Sequence, residues 1–130
     1  MFRQVVLVVD DDPDMLTLLN TMLRRVGYVV MRASSAESAL HLVKSFMPNL
    51  FVVDLLMPDM NGLELCEKIR RIPHTANVPI IVLTALNSIK SRQQAIDVGA
   101  DAFIPKENLS SDLTLEINRL LSNHNGNGKS

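Results

Sequence analysis

A chain of 130 residues, 47% of them apolar, fits one compact domain with a real core and leaves little room for a second. Thirteen Lys and Arg against fourteen Asp and Glu give a net charge of −1, so composition offers no electrostatic reason to expect direct nucleic-acid or membrane binding. The single Cys66 rules out an internal disulfide and suits a reducing cytoplasm. No stretch approaches the roughly 18 apolar residues of a membrane span, and Met1 to Gln4 lead into a strand-like run without a signal-peptide pattern.

Apolar runs alternate with helical patterns along the chain. Val5 to Val9 is a continuous apolar run that stops at Asp10. Such runs suit strands buried on both faces of a parallel sheet. Asp12-Pro13 opens a helix, with Asp as N-cap and Pro at the first position; Leu16, Leu19, Leu23 and Val26 share its inner face, and Gly27 stops it. Tyr28 to Met31 is a weaker strand, placed toward a sheet edge. Ser34 to Glu37 has the spacing of a capping box, which predicts a second helix with Ala36, Leu40, Val43 and Met47 inward, ended by Pro48. Leu50 to Val53 is the third strand, stopping at Asp54. Asn61 to Ile72 is the third helix, with Leu65, Cys66 and Ile69 inward. Ile80 to Leu83 precedes Thr84. Ser88 to Val98 forms a fourth helix, largely polar and stopped by Gly99. Ala102 to Ile104 is the second weak edge strand, and Leu113, Ile117, Leu120 and Leu121 mark a fifth helix. This alternation predicts an α/β fold, a three-layer sandwich around a five-stranded parallel sheet with five helices. Residues 1–122 form the domain; residues 123–130, Asn, Gly, Lys and Ser with one His, are expected to be a loose tail.

The polar residues gather where the apolar runs stop: Asp10, Asp11, Asp12, Asp54, Thr84 and Lys106. In an open parallel sheet these are the carboxyl ends of strands, where ligands bind. Crowded carboxylates raise one another's pKa, and a divalent cation with oxygen ligands relieves them. An Asp can accept a phosphoryl group as an acyl phosphate without a general base. The loose transfer then needs positioning and charge neutralisation, which a metal, an ammonium and a hydroxyl supply.

Val8-Val9-Asp10-Asp11-Asp12, Asp54-Leu55-Leu56-Met57-Pro58-Asp59-Met60-Asn61-Gly62, Thr84-Ala85 and Gly99-Ala100-Asp101 leading to Lys106 occur in order. Over roughly residues 4–121 this set resembles the response-regulator receiver family of two-component signalling, and four motifs in register are specific where one is weak. The resemblance implies a flavodoxin-like sheet of order 2-1-3-4-5. It implies phosphorylation on Asp54, with Mg²⁺ held by Asp11 and Asp54 directly, by Asp10 through water and by the backbone carbonyl of Leu56. Lys106 becomes the phosphate partner, Thr84 the switch hydroxyl and Phe103 the aromatic switch position. The donor would be a sensor histidine kinase or a histidine phosphotransfer domain. The output would be a changed surface of the fourth helix, fifth strand and fifth helix, open to a phosphorylation-dependent homodimer. On this reading the chain is a switch that catalyses only its own phosphorylation and dephosphorylation.

Two positions depart from the family. Glu107, where the family has Pro, follows Lys106 and brings a second carboxylate that could compete for it; Phe103 replaces the more frequent Tyr. Leu56 and Leu86, each two residues after Asp54 and Thr84, flank the path of the hydrolytic water in receivers. Two apolar side chains there imply slow loss of the phosphoryl group.

Other readings compete. A phosphatase of the haloacid-dehalogenase type also uses a strand-end Asp, Mg²⁺, a hydroxyl and Lys, and Asp10 with Asp12 gives its Asp-x-Asp spacing, but the chain has no room for a substrate cap. A pseudo-receiver keeps the fold without the chemistry; Glu107 is the one residue in its favour. Individually, Asp12 reads as a helix cap, Cys66 and the methionines as core, and His41, His74 and His124 carry no assigned role.

Overall fold

A computed structural model describes residues 3–57 and 60–129, with side chains up to residue 123. The strands are β1 (Val5–Val9), β2 (Val29–Ala33), β3 (Leu50–Val53), β4 (Ile80–Thr84) and β5 (Ala102–Pro105). The helices are α1 (Pro13–Arg25), α2 (Ala36–Leu42), α3 (Gly62–Arg71), α4 (Ile89–Asp97) and α5 (Leu109–Lys129), with a short 3-10 turn at Lys106–Asn108. All strand pairs are parallel, and the order is β2-β1-β3-β4-β5, the one the family resemblance implied. The two weak apolar runs are indeed the edges.

The continuous apolar runs are explained by the two cores. Alternate residues of β1, β3 and β4 point to opposite faces. Leu7, Val9, Phe51, Val53, Ile80 and Val82 meet α2, α3 and Ala95 of α4. Val6, Val8, Leu50, Val52, Ile81 and Leu83 meet α1 and α5. Leu23 is fully buried on α1, so Leu23→Ala should cost about 2–5 kcal/mol.

Local chemistry sets the helix ends. Asp12 caps α1, accepting from the Asp14 amide at 3.0 Å. Gly27 and Gly99, at φ 101° and 99°, adopt the left-handed conformation that stops α1 and α4. The following amides, of Tyr28 and Ala100, reach back to Leu23 and Ala95 at 3.1 and 3.0 Å, the same closing bond at both helices.

Some expectations need correction. The cap of α2 is Ser35, which accepts from Ser38, and not Ser34 of the Ser34–Glu37 pattern. The helix ends at Leu42 and not at Pro48, so Met47 lies exposed in the following loop. Val26 falls at the C-cap of α1 and is exposed too. Helical spacing alone assigned both to an inner face, but the helices end before reaching them. The backbone of residues 123–129, expected from the sequence to be a loose tail, instead continues α5; the side chains from His124 on lie outside the described residues.

Candidate functional site

Sheet register brings distant acids together. The Asp54 amide donates to Val9 O at 3.0 Å and the Asp10 amide to Ala33 O at 3.1 Å, extending the ladders one residue past the strands. Asp10 and Asp54 therefore emerge side by side, 2% and 4% exposed. Exposed Asp11 joins them: one oxygen from each of Asp10, Asp11 and Asp54 lies within 4.8 Å of the others.

Lys106, in the 3-10 turn just past β5, closes the cluster. Its Nζ stands 3.0 Å from Asp10 Oδ2 and 3.1 Å from Asp54 Oδ2. The other carboxylate oxygens are held by backbone: Asp10 Oδ1 accepts from the Asp12 amide at 3.0 Å, and Asp54 Oδ1 from the Leu56 amide at 3.2 Å. Burial pushes the Asp10 carboxyl upward, Asp54 adds to the rise, and the Asp12 amide and Lys106 oppose it. For Lys106, burial works to lower the pKa, but its bonds to Asp10 and Asp54 outweigh that and hold it raised. Lys106 is thus an ammonium, while Asp10 still loses more on leaving water than its partners return.

Thr84, fully buried, ends β4, and its hydroxyl oxygen accepts from the Leu86 amide at 3.3 Å. Phe103 packs into the core on the α4 side of the sheet, with the Arg92 guanidinium 4.9 Å from its ring centroid. Leu56 and Leu86 are partly exposed beside the cluster. Asp10, Asp11, Asp54 and Lys106 are thus brought together at one end of the sheet, and Thr84 ends the strand β4 at that end, whereas Phe103 lies further back, opposite Val82, and does not join the acids. Pro58 and Asp59 of the Asp54–Gly62 motif lie outside the described residues. Glu107 does not compete for Lys106: its carboxylate accepts from Asn87 Nδ2 at 3.1 Å, facing the β4–α4 loop. Cys66 is core, and burial drives its thiol up to about 12. His74 Nε2 donates to Val43 O at 2.8 Å, a structural contact away from the acids.

Two supporting residues, Gly62 of the quoted motif and Arg70, had no site role in the sequence reading. A Cβ on Gly62 would stand 2.3 Å from Asp54 O and 2.7 Å from Leu55 Cα, so only glycine lets α3 start against the acid-bearing loop. Arg70 gathers Gly99 O, Ala76 O, Val78 O and Asp101 at 2.7–3.2 Å, tying α3 to the turn after α4. The Asn61-Gly62 pair could have pointed to the first; nothing local marks Arg70.

A groove of about 740 Å³ runs beside α2, lined by Arg32, Glu37, His41, Lys44 and Met60 among others, and does not coincide with the acids. The geometry decides for the acids, because a cation and a small anion need convergent oxygens and an ammonium more than volume. Oxygen donors from three carboxylates suit a hard divalent cation.

A five-stranded parallel sheet of this order with an acidic, lysine-closed pocket at its carboxyl edge defines a phosphorylation-type switch module. Residues 6–118 match the family model of the response regulator receiver domain, and the chain belongs to that family. It is 35% identical over 123 residues to the probable transcriptional regulator ycf27 of Guillardia theta, covering 95% of this chain and 47% of that one. The chain spans about half the length of the curated relatives it matches. Among solved structures, a CheY-like response regulator receiver domain protein from Methanospirillum hungatei superposes with TM-score 0.90 at 29% identity, over 97% of this chain and 99% of that one. The response regulator TrrA of Thermotoga maritima, solved in complex with Mg²⁺ and BeF, superposes with TM-score 0.80 at 31% identity over 90% and 98%. The chain is therefore a response-regulator receiver, a signalling switch, and not a phosphatase of the haloacid-dehalogenase type. No helix among the described residues is long and apolar enough to cross a membrane.

Proposed function

We infer that this receiver takes a phosphoryl group onto Asp54 from the phosphohistidine of a sensor kinase or phosphotransfer domain, in the cytoplasm. The observation that carries the reading is Lys106 Nζ set between Asp10 Oδ2 and Asp54 Oδ2, with Asp11 completing the acid cluster. A carboxylate oxygen of Asp54 forms the new P–O bond as the donor's P–N bond breaks, and the imidazole leaves. Lys106 neutralises phosphoryl charge, and the Leu56 amide holds the second carboxylate oxygen in place. Asp10, Asp11, Asp54 and the carbonyl of Leu56 are the groups that would hold Mg²⁺. When bound, Mg²⁺ supplies the positive charge that offsets the acids and the incoming phosphoryl oxygens.

Phosphorylation then gives Thr84 a charged partner, and its hydroxyl leaves the Leu86 amide to donate toward the phosphoryl group. That movement reaches α4, whose buried side chains are only Ser91 and Ala95. Arg92 over Phe103 connects α4 to β5. The readout is the α4-β5-α5 surface, offered to an output domain or partner, or to a second phosphorylated copy. Residues 1–122 constitute this unit. The chain's catalysis is confined to its own phosphorylation and dephosphorylation.

The test is incubation with Mg²⁺ and acetyl phosphate followed by intact mass. One phosphoryl adduct on the wild type and none on Asp54→Asn is expected. No adduct on the wild type, and no binding of beryllofluoride, would leave a pseudo-receiver.

A further inference from the structure

We propose that Glu107 and Asn87 form a latch that holds the switch loop in its resting position and sets how readily Asp54 is phosphorylated. The inference rests on the phosphoacceptor reading above.

Glu107 follows Lys106 in the 3-10 turn, and that turn has no side-chain cap of its own. Its carboxylate instead accepts from Asn87 Nδ2 at 3.1 Å, twenty residues back. Asn87 lies three residues after Thr84 and just before Ser88, the N-cap of α4. One hydrogen bond therefore joins the loop that carries the ammonium to the loop that carries the hydroxyl. The strands beneath are already paired, with Thr84 opposite Pro105. Beyond the sheet edge, the latch is the side-chain bond between the two loops.

Thr84 ties the same loop from its other end: its hydroxyl oxygen accepts from the Leu86 amide at 3.3 Å. In this proposal a phosphoryl group on Asp54 draws the Thr84 oxygen off the Leu86 amide, and residues 85–87 move with it. Asn87 cannot follow while it holds Glu107, so the latch stabilises the resting arrangement alone. A contact made in one state only biases the equilibrium by its own strength. An exposed bond to a carboxylate is worth little, so releasing it should speed phosphorylation by about two- to fivefold. Glu107 is a positioning residue here; it touches neither acceptor nor donor.

The experiment measures the phosphorylation rate with acetyl phosphate and Mg²⁺, and hydrogen exchange of the 85–91 segment without any donor. The variants are Asn87→Ala, Glu107→Ala, the double variant and Glu107→Gln, which keeps an acceptor for Asn87. Both alanine variants are expected to phosphorylate faster and to exchange faster at 85–91. The double variant should match the singles, and Glu107→Gln should match the wild type. Single effects that add, or that are absent, would overturn the latch. So would Glu107→Gln behaving as Glu107→Ala, which would make the effect one of charge beside Lys106. If the wild type takes no phosphoryl group but the exchange pattern holds, the phosphoacceptor reading fails, and with it the control of phosphorylation, while the tie between the two loops stands.

Discussion

Lys106 reaches Asp10 across the sheet at 3.0 Å, although their strands, β5 and β1, are separated by β3 and β4. The long side chain spans what the register cannot. Removing it leaves the carboxylates of Asp10 and Asp54 facing each other with little solvent. Lys106→Met should lower stability by about 1–3 kcal/mol in urea unfolding, and added Mg²⁺ should restore part of it. Equal stability with and without Mg²⁺ would separate the metal from these acids.

Asp10 predicts the opposite sign. Its carboxyl is raised above the ordinary 3.8 mainly by burial, so its ionised form is less favoured folded than unfolded. The resulting cost to stability builds as pH rises through 3.8 to the folded value and persists above it. Asp10→Asn should therefore melt higher than the wild type near pH 7, and the gap should shrink as pH falls toward 3.8. Thermal melts across that range, without metal, decide the sign.

Arg70 predicts a loss that its closest relative in charge cannot repair. Its fork serves three carbonyls and the Asp101 carboxylate, and Asp101 in turn accepts from the Ile80 amide at 2.8 Å. Arg70→Ala should cost about 2–4 kcal/mol by urea unfolding, and Arg70→Lys should recover under half, because an ammonium cannot span that set.

Gly62 predicts coupling of stability to chemistry. Gly62→Ala drives a Cβ into Asp54 O and Leu55, and its amide bond to Leu55 O, 3.0 Å, must give way. A loss of about 2 kcal/mol is expected, with slower labelling by acetyl phosphate at a temperature where the variant remains folded. Full-speed labelling would show that the loop adapts without disturbing the acceptor.

Leu56 and Leu86 predict the lifetime of the modified state. Both stand beside the acid cluster with apolar side chains, 49% and 40% exposed. Leu56→Asn combined with Leu86→Glu should shorten the phosphoryl lifetime at least about fivefold, roughly 1 kcal/mol in barrier. An unchanged lifetime would remove the shielding role from both.

The sheet and the acids were legible because each is written locally. A strand buried on two faces needs an unbroken apolar run, and the run's end marks the sheet's edge, so Asp10, Asp54, Thr84 and Lys106 could be placed before any contact was known. What escaped was long-range or terminal. Arg70 looks like any helix-end cation, since its acceptors lie in other segments. Asn87 and Glu107 are ordinary loop residues until the fold apposes them. Met47 and Val26 continue a helical period that the backbone has already abandoned.

The site draws its residues from strand ends alone, and strand ends are fixed by the ladders beneath them. The outward sides of the five helices take no part in that alignment. Exposed Leu18 on α1, Ile96 on α4 and Leu115 on α5 can be exchanged without touching the acids or Lys106. The outer coat of the helices and the pocket at the strand ends can thus vary separately, one without disturbing the geometry of the other.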